Sequence, residues 1–508
     1  MASGKRVYRK YKNYRQRGGG SRRGKLPRKG RGLLLFYVVL CLILVGSIVY
    51  MQWRMGNLLE LQKKLGELLN SAGEEQQTQD EAPAESVEPL TAVRVVLLEK
   101  DENVYRKSVK ITGDTGCILS DGTKEWAADA GAEVLFSEEA IANFTGTTTI
   151  TPAEGGRLYV TDGDGSKRDV GYQGKIEVWQ DGNGYALVNE VPTDAYLTGV
   201  LPSEMPESYG LEALKAQAVC ARSYLYAQTK EEHYPQFHAH LDDTVSFQVY
   251  NHQKSGELSA QAVRETDAQV LMCQGQIVEA LYYSTSCGYS QSGSIFGSDS
   301  PVLQSVYVGN GSQNADFETY IRGWDENAYE REERYFRWVA VVDTAGQKDA
   351  MIDAVQKLYK KAPEDIVYSS QLKKRISDKS IKTAAEAFGE LREFKILQRN
   401  PGGVIEKAEL VFDQGSVQVT GELHIRDILG AAMSSVQLQN GEIVTGIRRL
   451  YSAAFVCEAK DGQWLLYGGG CGHGAGMSQN GAKALAAAGY GYQEILKFFY
   501  QGVEIKRI

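Results

Sequence analysis

The sequence is poor in the side chains that build compact metal sites and disulfide frameworks. Its 508 residues include only six histidines and seven cysteines, and the cysteines are widely scattered. A domain of this size buries enough apolar surface to do without disulfides, so we expect mostly free, buried thiols. His238 and His240 lie two residues apart, but a zinc site needs three or four converging ligands. The sequence therefore predicts neither a metal nor another cofactor.

Phosphate-binding signatures are also missing. The glycine-rich segment 468–481 has no G-K-[ST] motif and no G-x-G-x-x-G followed by an acidic residue in a βαβ unit, so nucleotide binding is disfavoured. From residue 33 onward the chain has 43 Lys and Arg against 64 Asp and Glu, a formal net charge of −21. A nucleic-acid-binding protein would present a basic face, so we expect no nucleic-acid partner.

One uncharged apolar run, at residues 33–51, has the length of a membrane span. Nineteen residues rise about 28 Å as a helix, close to the hydrocarbon thickness of a bilayer. Residues 1–32 carry thirteen Lys and Arg and no acid, so the positive-inside rule places this basic tail in the cytoplasm and the remainder outside. A cleaved signal peptide would have a shorter apolar region that ends in small residues. We therefore predict a single-pass signal anchor in the cell membrane.

The predicted extracytoplasmic portion begins with a stalk and continues as an α+β region. Residues 52–90 are leucine-rich at first and then polar, which is typical of a spacer and linker. Over 91–508, short apolar or β-branched runs alternate with turn clusters. This pattern predicts a strand-rich antiparallel body with packed helices, including a hairpin at 175–189. Residues 310–390, rich in Lys, Glu and Tyr, are expected to form a peripheral elaboration of one catalytic region.

Glu204 is the strongest candidate for a catalytic side chain. It lies between Pro202 and Pro206, each of which fixes a backbone angle and removes a donor, and Pro206 disfavours a helical conformation at Met205. These restraints predict a rigid loop. Apolar residues then recur at steps of three and four over 211–225, which predicts an amphipathic helix. A lone glutamate in such a turn is more often a solvated or capping group, so position alone assigns no role.

Ten further side chains are candidates for substrate binding. Lys215 and Arg222 lie seven residues apart on the predicted helix, hence on similar faces, where they could orient a ligand or restrain the loop. Hydroxyl and amide groups elsewhere can both donate to and accept from a polar ligand, although an ordinary polar strand and turn would look the same. A helix is predicted over 478–488, after the glycine-rich loop. The other eight candidates are Gln248, Tyr250, Ser284, Thr285, Ser286, His473, Ser478 and Gln479.

Three blocks of the sequence resemble the stage II sporulation protein D and LytB family. The first, from Val188 to Tyr224, reads V-N-E-V-P-x-x-x-Y-L-x-G-V-x-P-S-E-M-P and then L-E-A-L-K-A-Q-A-V-x-A-R-S-Y. The second joins D-T-V-S-F-Q-V-Y at 243–250 to S-T-S-C-G at 284–288. The third is G-G-G-C-G-H-G-A-G-M-S-Q-N-G at 468–481. The resemblance therefore extends over most of the outer portion.

The resemblance implies no zinc site in this chain. Some family members carry Cys and His ligands for zinc just before the Q-x-Y motif. The corresponding positions here are Asp242, Ser246 and Phe247, which do not supply such a ligand set.

The resemblance does imply a lytic transglycosylase, which cleaves peptidoglycan between N-acetylmuramic acid and N-acetylglucosamine. It also implies that the enzyme acts in engulfment during sporulation. In lytic cleavage the sugar's own C6 hydroxyl attacks C1 and leaves a 1,6-anhydro end. One carboxyl can then serve first as acid and then as base, whereas ordinary glycosidases need two. Glu204 is expected to take both roles, with a pKa raised by burial beside Met205.

Other interpretations of the resemblance stay open. Relatives of the LytB type enhance amidases, so the alternative is a non-catalytic glycan-binding enhancer of an N-acetylmuramoyl-L-alanine amidase. A structural tether at the wall is a weaker third interpretation. Expected partners are peptidoglycan strands, the cell membrane, an amidase and other sporulation membrane proteins, and vegetative wall remodelling is also compatible. Glu190 and Asp194 are the fallback acids if a second carboxylate is needed.

Overall fold

A computed structural model of the chain describes residues 88–99, 103–138, 146–297, 299–460 and 462–508. The predicted basic tail at 1–32, the membrane span at 33–51 and nearly all of the stalk at 52–90 lie outside the described residues. Within them, no helix combines the length and hydrophobicity that a bilayer crossing requires.

The described residues form a mixed α+β fold of ten α-helices and twenty-four strands. The helices are α1 (Thr193–Glu204), α2 (Leu211–Gln228), α3 (Glu257–Glu265), α4 (Phe317–Arg322), α5 (Lys348–Lys361), α6 (Ser370–Ser377), α7 (Ala384–Phe388), α8 (Glu422–Gly430), α9 (Gln479–Ala487) and α10 (Tyr492–Phe499). The strands are β1 (Ala92–Leu97), β2 (Val109–Gly113), β3 (Cys117–Ser120), β4 (Glu125–Ala128), β5 (Glu133–Phe136), β6 (Thr147–Pro152), β7 (Leu158–Asp162), β8 (Lys175–Asp181), β9 (Gly184–Pro192), β10 (Leu241–Asp242), β11 (Gln269–Cys273), β12 (Gln276–Ile277), β13 (Tyr282–Tyr283), β14 (Trp338–Val342), β15 (Ile366–Tyr368), β16 (Leu391–Arg399), β17 (Ile405–Phe412), β18 (Gly415–Thr420), β19 (Met433–Leu438), β20 (Ile443–Val444), β21 (Phe455–Lys460), β22 (Gln463–Gly468), β23 (Met477–Ser478) and β24 (Glu504–Arg507).

The strands pair mainly antiparallel, as the alternating pattern predicts. The largest sheet has seven strands in the order β10-β1-β9-β8-β6-β3-β4, and the predicted hairpin at 175–189 is confirmed as β8 and β9. Two pairings are parallel: β1 with β10 and β13 with β23. The second of these places Tyr283 beside Ser478, so it brings the second and third sequence blocks together.

Buried apolar side chains form two large clusters. The first packs α1, α2, α9 and α10 against the seven-stranded sheet. The second fills the space around the sheets β20-β19-β14-β22-β21 and β15-β18-β17-β16. Leu281 contacts both clusters, so the chain just before β13 lies where the two cores meet.

The prediction of a peripheral elaboration at 310–390 is wrong for part of this segment. β14 is the middle strand of its sheet and pairs with both β19 and β22. Its side chains alternate between buried and partly exposed, and Trp338 and Ala340 lie in the second core. The Lys, Glu and Tyr content on which the prediction rested describes the surrounding loops and helices, not this strand. The same segment also contains α5, whose Met351, Ile352 and Val355 are buried.

Candidate active site

Glu204 is the last residue of α1, so the predicted loop is wrong. Pro202 lies inside the helix, where it removes a single intrahelical hydrogen bond in the final turn. The helix survives because Leu197, Val200 and other apolar side chains on one face are fully buried. Met205 is extended, with φ −140° and ψ 121°, as a residue before proline should be. The helix therefore ends abruptly and presents Glu204 at its carboxyl end.

The Glu204 carboxyl group is partly buried and retains its proton to a higher pH than a solvated glutamate. Burial raises its pKa to about 7, while hydrogen bonds from Val249 and Gln479 lower the pKa to a smaller extent. The Val249 backbone N–H donates to Oε1 at 2.8 Å. Met205 next to it is fully buried and is the apolar neighbour that the sequence predicted beside Glu204. A carboxyl with such a pKa is protonated in many molecules at neutral pH and can donate a proton.

Gln479, the first residue of α9, is buried beside Glu204. Its side-chain amide lies close enough to lower the pKa of Glu204 through a hydrogen bond. That bond is less well formed than the one from Val249, because the buried Nε2 has no well-formed hydrogen bond among the described residues. Of the candidates for substrate binding, Gln479 is the one that the structure brings to Glu204.

Tyr282 also lies at the site, although the sequence did not single it out. Gln248 Nε2 donates to a backbone carbonyl of α2 at 3.2 Å and to the Tyr282 hydroxyl oxygen at 3.1 Å, while its Oε1 accepts from Tyr196 at 3.2 Å. The Tyr282 hydroxyl therefore accepts from Gln248 and keeps its own hydrogen for another acceptor. Burial and, second, the charge of Glu204 raise the pKa of Tyr282 well above 10. The Tyr282 phenol and the Glu204 carboxyl group are therefore close enough to interact electrostatically.

Gln248 and Tyr250 support the site from beneath and do not face a sugar as predicted. Both are buried. The Tyr250 hydroxyl donates to Asn189 Oδ1 at 2.9 Å, and its ring lies 4.8 Å from that of Tyr196. A Cβ atom at Gly199 would lie 2.7 Å from the Tyr250 ring. Glycine at this position therefore lets α1 pack directly on the phenol.

Lys215 and Arg222 bind neighbouring elements, and their hydrogen bonds and ion pairs do not go to Glu204. Lys215 Nζ lies 2.9 Å from Glu212 and 2.6 Å from Glu265. Arg222 is buried and donates to two backbone carbonyls just after α3, at 2.8 and 3.2 Å. Both side chains hold α2 to α3 and to the residues just after α3. Their positions therefore do not support the prediction that they orient a sugar.

Ser284, Thr285 and Ser286 join β13 to the glycine-rich loop and to the start of α9. The Ser284 carbonyl accepts from the Asn480 backbone N–H at 3.0 Å, and Thr285 exchanges two backbone hydrogen bonds with the loop. Thr285 Oγ1 accepts from Asn480 Nδ2 at 2.9 Å. Thr285, Ser286 and Ser478 are fully buried, so they position backbone and do not face a ligand. Ser284 alone among them remains partly exposed.

His473 is neutral and hydrogen-bonded within the protein through both ring nitrogens, so its predicted contact with substrate gains no support from its position. Its Nδ1 accepts from the Ala475 backbone N–H at 3.1 Å, so Nε2 carries the hydrogen that is donated to the Tyr282 carbonyl at 3.0 Å. Burial lowers the pKa of His473 to about 4. Since both ring nitrogens are occupied within the protein, the imidazole fastens the glycine-rich loop to β13.

A second buried carboxyl, Glu330, lies close to this joint and was missed. Its Oε1 accepts from the Ser286 backbone N–H at 3.0 Å and from Ser478 Oγ at 2.6 Å, and its Oε2 accepts from Ser286 Oγ. Burial raises its pKa to about 7. In the sequence it stands among other glutamates, and its partners are 44 and 148 residues away, so no local signal distinguishes it.

The residues weighed as zinc ligands do not converge. His240 Nδ1 accepts from the Arg94 backbone N–H at 3.2 Å, and the exposed His238 lies 3.5 Å from Glu232. Asp242 accepts from the Tyr234 hydroxyl at 2.7 Å. No three His, Cys, Asp or Glu side chains converge as metal ligands would anywhere in the part of the chain that the structure describes. The six described cysteines are free thiols, three of them buried.

Neither fallback acid has the environment of Glu204. Glu190 is ion-paired with Arg94 at 2.5 Å and with Lys175 at 3.2 Å. Asp194, at the first turn of α1, is exposed and lies 4.0 Å from the nearest guanidinium nitrogen.

Comparisons with known proteins match two segments of the chain. Residues 181–273 match the family described as SpoIID, stage II sporulation protein. They contain Glu204, Val249 and the end of β9 that leads into α1. Residues 364–476 match a domain of unknown function, DUF8618, which supplies most of the second core and much of the glycine-rich loop.

Curated relatives extend this likeness over most of the described region. The amidase enhancer of Bacillus subtilis is 28% identical over 321 residues, which are 61% of this chain but only 40% of that protein. Stage II sporulation protein D of Bacillus amyloliquefaciens is 26% identical over 333 residues, 63% of this chain and 75% of that protein. An uncharacterized protein of Brachyspira hyodysenteriae is 26% identical over 361 residues, 69% of this chain and 76% of its own length.

Proposed function

Because the chain belongs to the SpoIID/LytB family of stage II sporulation protein D, we propose that it is a lytic transglycosylase that cleaves peptidoglycan strands. Glu204 is the single acid and base of the reaction. The observation that carries this proposal is a partly exposed carboxyl whose pKa is raised to about 7 by burial. Such a group is protonated often enough at neutral pH to begin the reaction and is accessible to a sugar.

The reaction needs one proton carrier and no water. Protonated Glu204 donates to the glycosidic oxygen as the bond from that oxygen to C1 of N-acetylmuramic acid breaks. The C6 hydroxyl oxygen of the same sugar forms the new bond to C1, and its proton passes to the Glu204 carboxylate. This restores the acid and leaves a 1,6-anhydro end. The proposed sugar-binding donors are the Tyr282 hydroxyl and the Gln479 amide, the two groups whose interaction with Glu204 supports this assignment.

A non-catalytic role is the second candidate. It is favoured by one observation, the similarity to a relative named amidase enhancer. In that case the same cleft binds glycan and presents it to an N-acetylmuramoyl-L-alanine amidase, and Glu204 transfers no proton. The two candidates share a substrate and a binding surface, so only product chemistry separates them.

The test uses purified glycan strands without stem peptides, with products identified by mass spectrometry. We expect anhydromuramic ends from the protein and a fall of about 10²- to 10⁴-fold with Glu204→Gln, the cost of removing a general acid. Asp194→Asn is the matched control, because this exposed acid lies on the same helix. It should retain full activity.

Other outcomes would replace the proposal. Reducing ends would indicate hydrolysis, and loss of activity in Asp194→Asn would indicate a second catalytic carboxylate. Absence of cleavage with the chain alone, together with stimulation of an added amidase that survives Glu204→Gln, would establish the enhancer.

We further propose that residues 33–51 anchor the protein, with the basic tail in the cytoplasm and the Glu204 site outside, where peptidoglycan lies. Engulfment during sporulation, with an amidase and other membrane proteins as partners, is the proposed setting. Protease treatment of intact protoplasts should remove the described region and spare the tail. Protection of the described region would contradict this topology.

A further inference from the structure

Glu330 has a hydrogen-bonding environment suited to a buried carboxylate that joins chain segments. It is completely buried, and three donors converge on it: the backbone N–H and the hydroxyl of Ser286, and the hydroxyl of Ser478. Each hydroxyl also accepts a backbone hydrogen bond, Ser286 from Gly288 at 3.0 Å and Ser478 from Gly481 at 3.2 Å. The Ser286 hydroxyl therefore donates to Glu330, and the Ser478 hydroxyl makes its shorter contact, 2.6 Å, to Glu330 and a longer one, 3.4 Å, to the Ser284 carbonyl.

The bond to Ser478 determines how α9 begins. Ser478 is the N-cap of α9, and its hydroxyl oxygen satisfies the Gly481 N–H, which would otherwise have no partner in the helix. Glu330 fixes the direction of that hydroxyl by accepting its hydrogen. The next residue is Gln479, whose amide lies beside Glu204. A single hydroxyl thus connects the buried carboxylate to the helix start that reaches the site.

The bonds to Ser286 hold the other side of the joint. Ser286 follows β13, which pairs in parallel with β23 and carries Tyr282. Glu330 therefore ties together the two segments that supply Tyr282 and Gln479, the two donors near Glu204.

We propose that Glu330 is a positioning residue for Glu204: its carboxylate fixes the Ser286 and Ser478 segments and so sets the distance of Gln479 from the catalytic carboxyl. The inference rests on the proposed role of Glu204. Glu330 does not contact the sugar and transfers no proton in the reaction.

The chain offers a matched control three residues away. Glu333 also contacts α9, through an ion pair with Lys483 at 2.7 Å, but it makes no bond to Ser286 or Ser478. Glu330→Gln and Glu333→Gln remove the same charge from the same segment. Only the first disturbs the three-donor arrangement, because a side-chain amide places a donor against at least one of the donors that face it.

The experiment measures the pKa of Glu204 without turnover. Infrared titration of the protein, with the spectrum of the same protein carrying Glu204→Gln subtracted, isolates the carboxyl band of Glu204. Since Gln479 lowers the pKa of Glu204, a displaced Gln479 should allow it to rise, by about 0.5 to 1 for one hydrogen bond. We expect this rise in Glu330→Gln and no change in Glu333→Gln. In glycan cleavage, the decline of the rate at high pH should shift upward by the same amount.

Ser286→Ala is the second variant, since it removes one donor and leaves the other two. A smaller rise in the pKa of Glu204 in this variant supports the proposal even if Glu330→Gln does not fold. An unchanged Glu204 pKa in folded Glu330→Gln overturns it, as does an unchanged value in Ser286→Ala when Glu330→Gln does not fold. If no variant cleaves glycan but the pKa still moves, the proposed activity fails and the positioning role stands.

Discussion

Glu204 and Glu330 are two buried carboxyls with the same raised pKa and different surroundings. Burial is the main cause in both, and both reach about 7. Glu204 is partly exposed, and its one well-formed hydrogen bond comes from the Val249 backbone N–H. Glu330 is completely buried, with three donors and no cation among them.

The difference shows that a raised pKa does not by itself identify a catalytic acid. A general acid must both retain its proton near neutral pH and reach the reacting atom. Glu330 meets the first condition, but serine donors and solid packing close it off from any ligand. Glu204 meets the first condition and is partly exposed, which is why we propose it as the acid. The two carboxyl groups therefore differ in their exposure and in how many hydrogen bonds their oxygens accept.

The largest effect expected from this comparison is the pH dependence of glycan cleavage. Cleavage needs protonated Glu204, so its rate should be constant well below about pH 7 and fall about tenfold for each pH unit above that value. Initial rates of anhydro-product formation between pH 5 and 9 measure this. A flat profile over that range would break the assignment of Glu204 as the acid.

The second effect concerns the pH dependence of stability, where Glu330 can be examined alone. Its folded pKa of about 7 exceeds the ordinary 4.5, so its contribution to stability is complete below pH 4.5 and is lost as the pH rises to about 7. The free energy of unfolding of Glu330→Gln, relative to that of the parent protein, should therefore increase by on the order of 2 kcal/mol between pH 5 and pH 8.

Urea unfolding at the two pH values measures this gain. Glu333→Gln, which removes an ion-paired carboxylate of the same segment, should show no comparable gain. Equal differences from the parent at pH 5 and pH 8 for Glu330→Gln would mean that Glu330 does not titrate in this range.

A smaller effect is expected at Tyr282, on the Glu204 side of the comparison. Tyr282→Phe removes a donor that faces the site, and one lost hydrogen bond to substrate should lower the cleavage rate about tenfold with little change in stability. Tyr250→Phe is the control, because its hydroxyl donates to Asn189 in the core. It should cost about 1 kcal/mol of unfolding free energy and leave the rate unchanged. A loss of rate in Tyr250→Phe without one in Tyr282→Phe would assign the substrate contact to Tyr250 and the structural role to Tyr282.

The smallest effect is expected at Lys215, which the sequence suggested for sugar binding. Its ammonium pairs with Glu212 and Glu265, so Lys215→Met should change KM for glycan strands by less than about twofold, as for other exposed ion pairs. Steady-state kinetics on strands of defined length measure this. A severalfold rise in KM would restore Lys215 to the binding site.

Sequence patterns were most informative where a structure depends on neighbours along the chain. The helix behind Glu204 was predicted from its apolar spacing, and the hairpin at 175–189 from its alternating pattern and turn cluster. A helix was predicted over 478–488, where the structure has α9. The loop at Glu204 was wrong because Pro202 was weighed as a helix breaker, whereas burial of one apolar face keeps α1 helical to its last turn.

The sequence by itself determined the resemblance to the SpoIID/LytB family, the α+β class and Glu204 as the leading candidate acid, since these depend on motifs and short-range periodicity. Only the tertiary structure decided which other side chains surround that acid. It placed Tyr282 and Gln479 near Glu204 and turned Arg222, Tyr250 and His473 into supports, as their partners show. It also disclosed Glu330. The physical reason is that burial and hydrogen-bond partners arise between segments far apart in the chain, which no local pattern records.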